Sequence, residues 1–403
     1  MASQPPSVPR ASLGAGPSSP RRNKRHQALI WWREIDRVLL LLVLLLITIG
    51  AAAVAAASPA SARRLSTSAL RLDDLHFFVL HLRWLALGLL AMFGTSTLPK
   101  ETARRFGVML GMAMLVALML VPVIGTNVNG SKRWLNLGIS FQPSEFLKPA
   151  FAIGLAWILT WRVRDSDLPV VGITTGFMVL VAALLMLQPD FGSTVLFTGV
   201  WFVLVLLSGI PVQRIGVLVG GGIAGIVATY FLYDNARHRI DNFIGGGQAY
   251  DQVDLAHRTI TAGGWTGTGL WLGIRKLALP EAHTDYIFSV IGEEFGLLVC
   301  LVVILLYIAI VVRVLLRLME EEDLFTVLAA TGLTAQLGGQ AFINILVNLR
   351  LFPSKGMTLP LISYGGSSTI ALCLGVGFLL AITRRNPFLN RDPFSLRDAG
   401  GQA

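Results

Sequence analysis

Long charge-free stretches dominate the pattern of polar and hydrophobic positions along the chain. Eight stretches contain no Asp, Glu, Lys or Arg, and they run over residues 38–62, 106–131, 168–189, 191–213, 215–233, 295–312, 324–349 and 356–383. A helix that crosses the hydrocarbon core of a bilayer needs about 17 to 25 mostly apolar residues, and each stretch is long enough. The pattern therefore predicts a membrane protein built from transmembrane helices.

Two further apolar stretches carry charged residues. Residues 76–97 contain Arg83, and residues 144–162 contain Glu145 and Lys148 near one end. With these two stretches we predict an all-α, polytopic fold of ten transmembrane helices, with one large outer loop between helices 7 and 8. The helices are expected at about 38–57, 76–97, 106–125, 144–162, 169–187, 191–209, 215–233, 286–312, 324–347 and 364–383.

The composition agrees with this class of protein and excludes others. Hydrophobic residues make up 54% of the 403 residues and charged residues only 14%, against about 25% charged in a typical soluble domain. The basic residues are divided between many loops, which argues against nucleic-acid binding. Cys300 and Cys373 both fall inside predicted helices, where we expect free thiols that pack as small apolar groups.

The basic residues at the two ends of the chain set the predicted orientation. Arg and Lys residues precede the first helix and follow the last one, so the positive-inside rule places both termini in the cytoplasm. The first 27 residues lack the apolar core of a signal peptide and are rich in Pro, Ser and basic residues, as in a disordered tail. We predict a disordered basic tail at 1–35, a membrane domain at 36–385 and a cytoplasmic tail at 386–403.

One of the predicted outer loops is far longer than the others. In this orientation the outer loops are 58–75, 126–143, 188–190, 234–285 and 348–363. The fourth has about fifty residues and no strong helical or strand periodicity, and loops of that kind are uncommon and tend to be functional. Because the outer loops are rich in Lys and Arg, either a long translocated loop tolerates these charges or they bind an anionic substrate.

Polar residues also occur inside the predicted helices. Gln336, Gln340, Asn344 and Asn348 are four residues apart and form one polar stripe on a helix. Such a stripe cannot face lipid. It either makes interhelical hydrogen bonds that fix the bundle or lines a substrate path.

Three more charged residues lie close to the predicted outer helix ends. Glu145 and Lys148 are three apart on one helix and can form a pair, either as a structural ion pair or beside a polar cavity. Asp190 lies in the sequence LQPDFGST between two helices. We expect it to shape that turn and to cap the helix that follows.

The densest group of titratable residues is in LPEAHTDYIFSVIGEEFG, residues 279–296. Asp285 is predicted at the outer membrane boundary near the start of the eighth helix, where it could serve as a general base. Thr284 or Asp285 could equally cap that helix. Glu293 and Glu294 lie two turns further in, and we interpret them as hydrogen-bonded structural acids.

Four motifs in order resemble one known family. They are NGSKRWLNLGISFQPSEFLKP at 129–149, LQPDFGST at 187–194, LPEAHTDYIFSVIGEEFG at 279–296 and KGMTLPLISYGGSS at 355–368. They resemble the SEDS proteins (shape, elongation, division and sporulation), and the similarity runs over most of residues 35–385. The KGMTLP and PEAHTD sequences are closer to the cell-division branch of the family than to its elongation branch. Tyr286 and Leu361 stand where Phe is usual.

The resemblance implies a peptidoglycan glycosyltransferase that polymerises lipid II at the outer face of the bacterial cytoplasmic membrane during septal wall synthesis. The Asp of the family's HTD motif corresponds to Asp285, which would take a proton from the acceptor sugar. Undecaprenyl pyrophosphate would leave, with inversion at the anomeric carbon. The implied partners are lipid II and the growing glycan strand, a class B penicillin-binding protein transpeptidase, division regulators and membrane lipids.

A pyrophosphate leaving group requires cationic or polar groups near its oxygens. The candidate substrate-binding residues are Lys132, Arg133, Glu145, Lys148, His283, Arg350, Lys355 and Ser363. A divalent cation, Mg²⁺ or Mn²⁺, could share this role as a Lewis acid, although no spacing indicates a dedicated cage.

Two other functions remain open from the sequence. A transporter that flips lipid II would carry ionisable groups deep in the membrane, whereas the densest group here lies at the predicted outer boundary. A noncatalytic division scaffold would not depend on Asp285.

Overall fold

The computed structural model describes residues 24–67, 71–128, 131–136, 138, 140–165, 167–209, 252–353 and 356–385, and scattered positions between 210 and 251. The chain forms two units, one from residues 1–35 and 385–403 and the other from residues 36–384. In the first unit, helix α1 spans Lys24–Glu34, and the amide of Arg385 donates to the carbonyl of Glu34 (3.3 Å).

The second unit is a helical bundle. Its described helices, numbered in chain order, are α2 (Arg37–Leu65), α3 (His76–Ser96), α4 (Lys100–Ile124), α5 (Pro143–Arg164), α6 (Val170–Leu187), α7 (Phe191–Leu207), α8 (Gln252–Ala262), α9 (Ile287–Leu318), α10 (Leu324–Asn348) and α11 (Ser367–Ile382). Each predicted transmembrane helix that falls on described residues is present as a helix. The predicted helix at 215–233 lies mostly outside the described residues.

Length and hydropathy support a multi-pass membrane protein. Among the described helices, α2 to α6 and α9 are long and apolar enough to cross a membrane, and α7 and α11 are shorter apolar helices. The largest difference from the predicted bounds is at the end of α2, which continues past residue 57 through Pro59 to Leu65. Ala and Ser residues in this extension are buried against other helices, so packing maintains the helix where the apolar pattern weakens.

Polar contacts identify the two ends of the bundle. Asp36 caps the start of α2 by accepting from the amides of Val38 (3.0 Å) and Leu39 (3.1 Å). Its carboxylate also pairs with Arg313 (2.9 Å) and Arg317 (2.7 Å) near the end of α9. Near the opposite end of α2, Ser61 contacts residue 283. The segment 279–286 therefore lies at the end of the bundle remote from Asp36.

Two regions predicted as outer loops contain regular structure. Within 126–143, strands β1 (Thr126–Val128), β2 (Ser131–Asn136) and β3 (Ser140–Phe141) form an antiparallel sheet in the order β1-β2-β3. Within 234–285, α8 is amphipathic and buries Val253, Ala256, Thr259 and Ile260. The expectation that this loop has no helical periodicity was wrong for residues 252–262, because an eleven-residue helix gives only a short periodic signal.

The segment 263–277 enters the bundle beside α2, and we call it the inserted segment. The indole Nε1 of Trp271 donates to the carbonyl of Ala55 (3.1 Å), and Lys276 Nζ donates to the carbonyl of Ala56 (2.8 Å). At 1.5 Å of rise per residue, these carbonyls lie about 14 Å along the axis from the end of α2 at Leu65. The inserted segment therefore extends along α2 from its C-terminal end toward the middle of the helix.

Two acidic side chains of α9 hold the inserted segment. Glu293 accepts from the amides of Arg275 (2.6 Å) and Lys276 (2.9 Å). Glu294 accepts from the amide of Gly273 (3.2 Å) and forms a buried ion pair with the ammonium of Lys276. Irregular backbone at membrane depth requires such internal partners. The interpretation of Glu293 and Glu294 as structural acids is confirmed.

The inserted segment presents large apolar side chains outward, and we expect them to contact lipid. Leu272 and Ile274 are 70% and 74% exposed. Spin labels at Leu272→Cys and Ile274→Cys, in protein reconstituted in bilayers, should collide more with oxygen than with a water-soluble nickel complex, because oxygen concentrates in hydrocarbon. The native cysteines, Cys300 and Cys373, are buried, so labelling should be confined to the introduced site.

A label at Asp73→Cys serves as the control, because Asp73 is exposed in the segment between α2 and α3. It should show the opposite preference, for the nickel complex. The same preference for nickel at positions 272 and 274 would show that the inserted segment faces water.

Candidate active site

A cavity of about 590 Å³ opens at the end of the bundle remote from Asp36. Its wall combines the strand β2, the first turns of α5, α7 and α11, part of α3, and two irregular segments at 281–285 and 356–366. Aromatic rings of Trp84, Trp134 and Tyr364 line part of it. A roomy cavity with both apolar and polar walls is the usual form of a small-molecule or cofactor site.

Asp285 lies on the wall of this cavity and is partly buried. Gly356 lies close to the carboxylate on this wall, since an added Cβ there would lie 3.3 Å from Asp285 Oδ2. The backbone carbonyl of Asp285 accepts hydrogen bonds from the side-chain amides of Asn344 (2.8 Å) and Asn348 (3.2 Å). The backbone that carries the carboxylate is therefore fixed from α10.

The alternative that Thr284 or Asp285 caps α9 was wrong. Tyr286 is the N-cap residue and its side chain makes no capping hydrogen bond. The amide of Ser289, in the first turn, instead donates to Oδ1 of Asn348 (3.2 Å). The hydroxyl of Thr284 donates to the Glu281 carboxylate (2.8 Å). The helix end thus receives its side-chain acceptor from another helix.

Ser363, predicted to bind substrate, joins two segments of the chain. Its hydroxyl donates to the carbonyl of Thr284 (2.6 Å) and accepts from the amide of Leu359 (2.8 Å). The neighbouring amide of Tyr364 donates to the carbonyl of His283 (3.0 Å). Ser363 is buried, and its contacts hold the segment 283–285 in place beside the cavity.

His283, the second predicted substrate contact in this segment, lies behind the cavity wall. Its Nδ1 is hydrogen-bonded to the hydroxyl of Ser61 (2.8 Å). Its ring packs on Phe77 (centroids 4.3 Å apart) and Tyr364 (5.4 Å). Burial lowers the pKa of His283 to about 4, against a smaller opposing effect of the Glu281 carboxylate. The imidazole is therefore neutral near pH 7.

The lowered pKa of His283 predicts an acid-sensitive fold. The unfolded chain binds a proton at this residue near pH 6.5, whereas the folded chain binds it only near pH 4. The stability from neutral His283 is therefore complete above pH 6.5 and is lost as the pH falls toward 4. The thermal midpoint in detergent should fall less between pH 7.5 and 5 in His283→Gln than in the wild type. Equal slopes would contradict this assignment.

Glu145 and Lys148 form a buried ion pair in the first turns of α5 (2.6 Å). Glu145 lines the cavity, while Lys148 Nζ also donates to Oε1 of Gln340 (3.2 Å) on α10. Gln340 in turn donates from Nε2 to the carbonyl of Thr358 (3.0 Å). The pair is thus linked through α10 to the segment 356–358.

The polar stripe on α10 makes contacts between segments. Gln340, Asn344 and Asn348 each bond to another segment near the cavity, so the expectation of structural hydrogen bonds is confirmed for them. None of the three is among the side chains that line the cavity. They support the wall from behind.

The predicted cationic residues lie in different places. Arg133 lines the cavity, and its guanidinium donates to the carbonyls of Gln188 (3.0 Å) and Pro189. Lys132 is exposed, with Nζ near the Pro122 carbonyl (3.4 Å). Arg350 pairs with Asp254 (3.4 Å) away from the cavity. Lys355 lies outside the described residues. Among the predicted outer-loop cations that are described, Arg133 alone lines the cavity.

Two further acids on the cavity wall were not predicted as site residues. Asp190 caps α7 by accepting from the amide of Ser193 (3.1 Å), as expected, but it also lines the cavity. Glu281 lines the cavity as well. Asp190 lies in the LQPDFGST motif, and Glu281 lies in the same motif as Asp285. Membership in these motifs was the signal in the sequence that could have indicated a place in the site.

The family model for the FtsW, RodA and SpoVE cell cycle proteins matches residues 36–387. This chain belongs to the FtsW/RodA/SpoVE family. The resemblance to SEDS proteins is confirmed. A relative in Caulobacter vibrioides, named probable peptidoglycan glycosyltransferase FtsW, is 38% identical over 91% of this chain and 93% of its own length. A relative of the same name in Xanthomonas oryzae pv. oryzae is 36% identical over 79% of this chain and 69% of its own length.

Solved structures of family members share the fold. A chain from a peptidoglycan synthase complex that coordinates polymerization and crosslinking matches with a TM-score of 0.70 and 28% identity, over 90% of this chain and all of that chain. Thermus thermophilus RodA, a rod shape determining protein, matches with a TM-score of 0.64 and 27% identity, over 88% of this chain and 99% of its own. The comparisons confirm the multi-pass membrane fold and the expected enzyme class, a peptidoglycan glycosyltransferase.

Proposed function

We propose that this family member polymerises lipid II into glycan strands at the outer face of the bacterial cytoplasmic membrane, with Asp285 as the general base. The observation that carries the proposal is a carboxylate on the wall of a cavity of about 590 Å³ at one end of a membrane-helix bundle. The relatives named probable peptidoglycan glycosyltransferase FtsW supply the class of substrate.

The proposed reaction is a displacement at a sugar carbon. Asp285 takes the proton from the 4-hydroxyl of the GlcNAc sugar on the acceptor lipid II. That oxygen bonds to the anomeric carbon of the donor strand, and the bond from this carbon to undecaprenyl pyrophosphate breaks. The electron pair leaves with the pyrophosphate, and a single attack from the opposite face of the sugar gives a product of inverted configuration. A positioned general base contributes about 10² to 10⁴ in rate.

The leaving pyrophosphate develops negative charge that the cavity must stabilise. Arg133 is our first candidate, because this residue lines the cavity. Glu145, Asp190, Glu281 and Asp285 also line it, so an anionic ligand would meet unfavourable charge on that part of the wall. Lys355 precedes the cavity-lining Gly356 in sequence and stays a predicted cationic contact.

A divalent cation stays part of the proposal, as a Lewis acid toward the pyrophosphate. Within the described ranges, no three His, Cys, Asp or Glu side chains are grouped so as to hold a metal ion. The described residues therefore do not fit a cation held by the protein alone, and we assign no reaction step to one.

The proposed setting is the division septum. Both termini would be cytoplasmic, with the cavity on the outer side. The proposed partner is a class B penicillin-binding protein that crosslinks the strands, together with division regulators. The similarity to a chain from a peptidoglycan synthase complex that coordinates polymerization and crosslinking supports such an assembly.

The decisive experiment is a polymerisation assay with the purified full chain, its transpeptidase partner and lipid II in liposomes. We expect glycan polymer that Asp285→Asn cannot make. Lipid II flipping without polymer would support the transporter. Unchanged partner binding without polymer or flipping, under conditions in which a relative is active, would support the scaffold.

A further inference from the structure

Asn344 and Asn348 are buried one turn apart on α10, beside the segment that carries Asp285. Their side-chain amides both donate to one acceptor, the backbone carbonyl of Asp285, at 2.8 and 3.2 Å. Two donors from one helix on a single carbonyl restrain both the position and the rotation of that peptide group. Buried amides that keep such partners avoid the desolvation cost of an unsatisfied polar group.

Asn344 also joins the two irregular segments of the cavity wall. Its Nδ2 donates to the carbonyl of Met357 (2.6 Å) as well as to that of Asp285 (2.8 Å). An Asn amide nitrogen has two hydrogens, so one side chain satisfies both carbonyls. Met357 adjoins Gly356, where an added Cβ would lie 3.3 Å from Asp285 Oδ2. Asn344 therefore fixes the spacing between the carboxylate and the segment opposite it.

Asn348 links the backbone of Asp285 to the first turn of α9. Its Oδ1 accepts from both the amide (3.2 Å) and the hydroxyl (2.6 Å) of Ser289 in the first turn of α9. Its Nδ2 donates to the carbonyl of Asp285 just before that turn. A flipped amide would point its oxygen at this carbonyl and its nitrogen at the Ser289 amide, so the orientation is set.

We propose that Asn344 and Asn348 are positioning residues that hold the Asp285 carboxylate at its reactive distance from the acceptor hydroxyl. The inference rests on the proposed function, in which Asp285 is the base. Neither side chain lines the cavity, so both act through the backbone of residue 285. A displacement of about 1 Å in a catalytic group can cost about 10²-fold in rate.

The test is steady-state polymerisation by the full chain with its transpeptidase partner. Asn344→Leu removes both donors and should lower kcat by about 10²-fold. The lipid II concentration for half-maximal rate should change less than about twofold, because the side chain does not line the cavity. A general loss of fold would instead lower the amount of active protein and the thermal midpoint together.

Gln336→Leu is the matched control. Gln336 lies on the same buried stripe, two turns before Asn344, and its Oε1 has no hydrogen-bond partner within the described part of the chain. This variant should keep the wild-type kcat. Asn344→Gln, which keeps the two donors on a longer side chain, should recover part of the activity lost in Asn344→Leu.

If Asn344→Leu does not fold, Asn344→Ser takes its place, because its short side chain stays polar but does not reach both carbonyls. A wild-type kcat in folded Asn344→Leu or Asn344→Ser, together with an inactive Asp285→Asn, would overturn the positioning role alone. An active Asp285→Asn would instead overturn the proposed base itself. The two failures are therefore distinguishable in one set of assays.

Discussion

Replacing Asp285 with Asn should reduce glycan polymerisation by about 10² to 10⁴-fold, the range expected for loss of a general base. The substitution keeps the size of the side chain but replaces the carboxylate by a neutral amide, which cannot take the proton. Because the backbone of residue 285 is held by Asn344 and Asn348, we expect the fold to be unchanged. Polymer length and yield from lipid II, measured with the transpeptidase partner present, provide the readout.

Asp254→Asn is the control for this prediction. Asp254 is paired with Arg258 (2.8 Å) and Arg350 (3.4 Å) on α8 and at the end of α10, and it does not line the cavity. It should retain polymerisation close to the wild-type rate. An Asp285→Asn protein that polymerises normally would refute the assignment of the base. Equal losses in both variants would point to a general effect of removing a carboxylate from this end of the bundle.

Replacing Lys276 with Met should destabilise the protein by about 3–5 kcal/mol, because Glu294 would keep a buried charge without its cation. Both side chains of this pair are almost fully buried. The ammonium also donates to the carbonyl of Ala56, so its loss should loosen the inserted segment from α2. A lower thermal midpoint in detergent and faster proteolysis within 263–277 are the expected results.

The double variant Lys276→Met, Glu294→Gln distinguishes an unpaired charge from lost packing. It removes both charges, so much of the stability should return. Arg275→Met controls for the loss of a neighbouring cation, since the Arg275 side chain is exposed and only its backbone amide contacts Glu293. A Lys276→Met protein as stable as the wild type would show that the ion pair contributes little.

The helices could be predicted from the sequence because lipid imposes a simple rule. A membrane-spanning segment must be apolar over about 20 residues, and charge-free stretches such as 38–62 and 324–349 follow that rule directly. The Asp190 cap and the structural role of Glu293 were also predictable, since each depends on nearby residues or on depth in the membrane. The C-terminal end of α2 and the helix α8 could not be predicted as well from the sequence, because packing against other segments determines them.

The candidate site was predictable only in part. The motif around Asp285 identified the segment, yet Lys132 and Arg350 were grouped with Arg133 by charge alone. The structure separates them: Arg133 lines the cavity, while Arg350 is paired with Asp254. The sequence of a loop shows that a cationic residue is present, but the folding of β2 and α8 decides whether that residue lies at the cavity.

The sequence by itself determined the membrane class, most helix positions and the family, because apolar length and motif order are local properties of the chain. Tertiary structure decided which side chains share the cavity and which hold it from behind. Four residues have polar groups that could bind substrate, namely Ser363, His283, Asn344 and Asn348. Each instead bonds to a segment distant in sequence, because a buried donor or acceptor takes whichever partner the packed helices bring within reach.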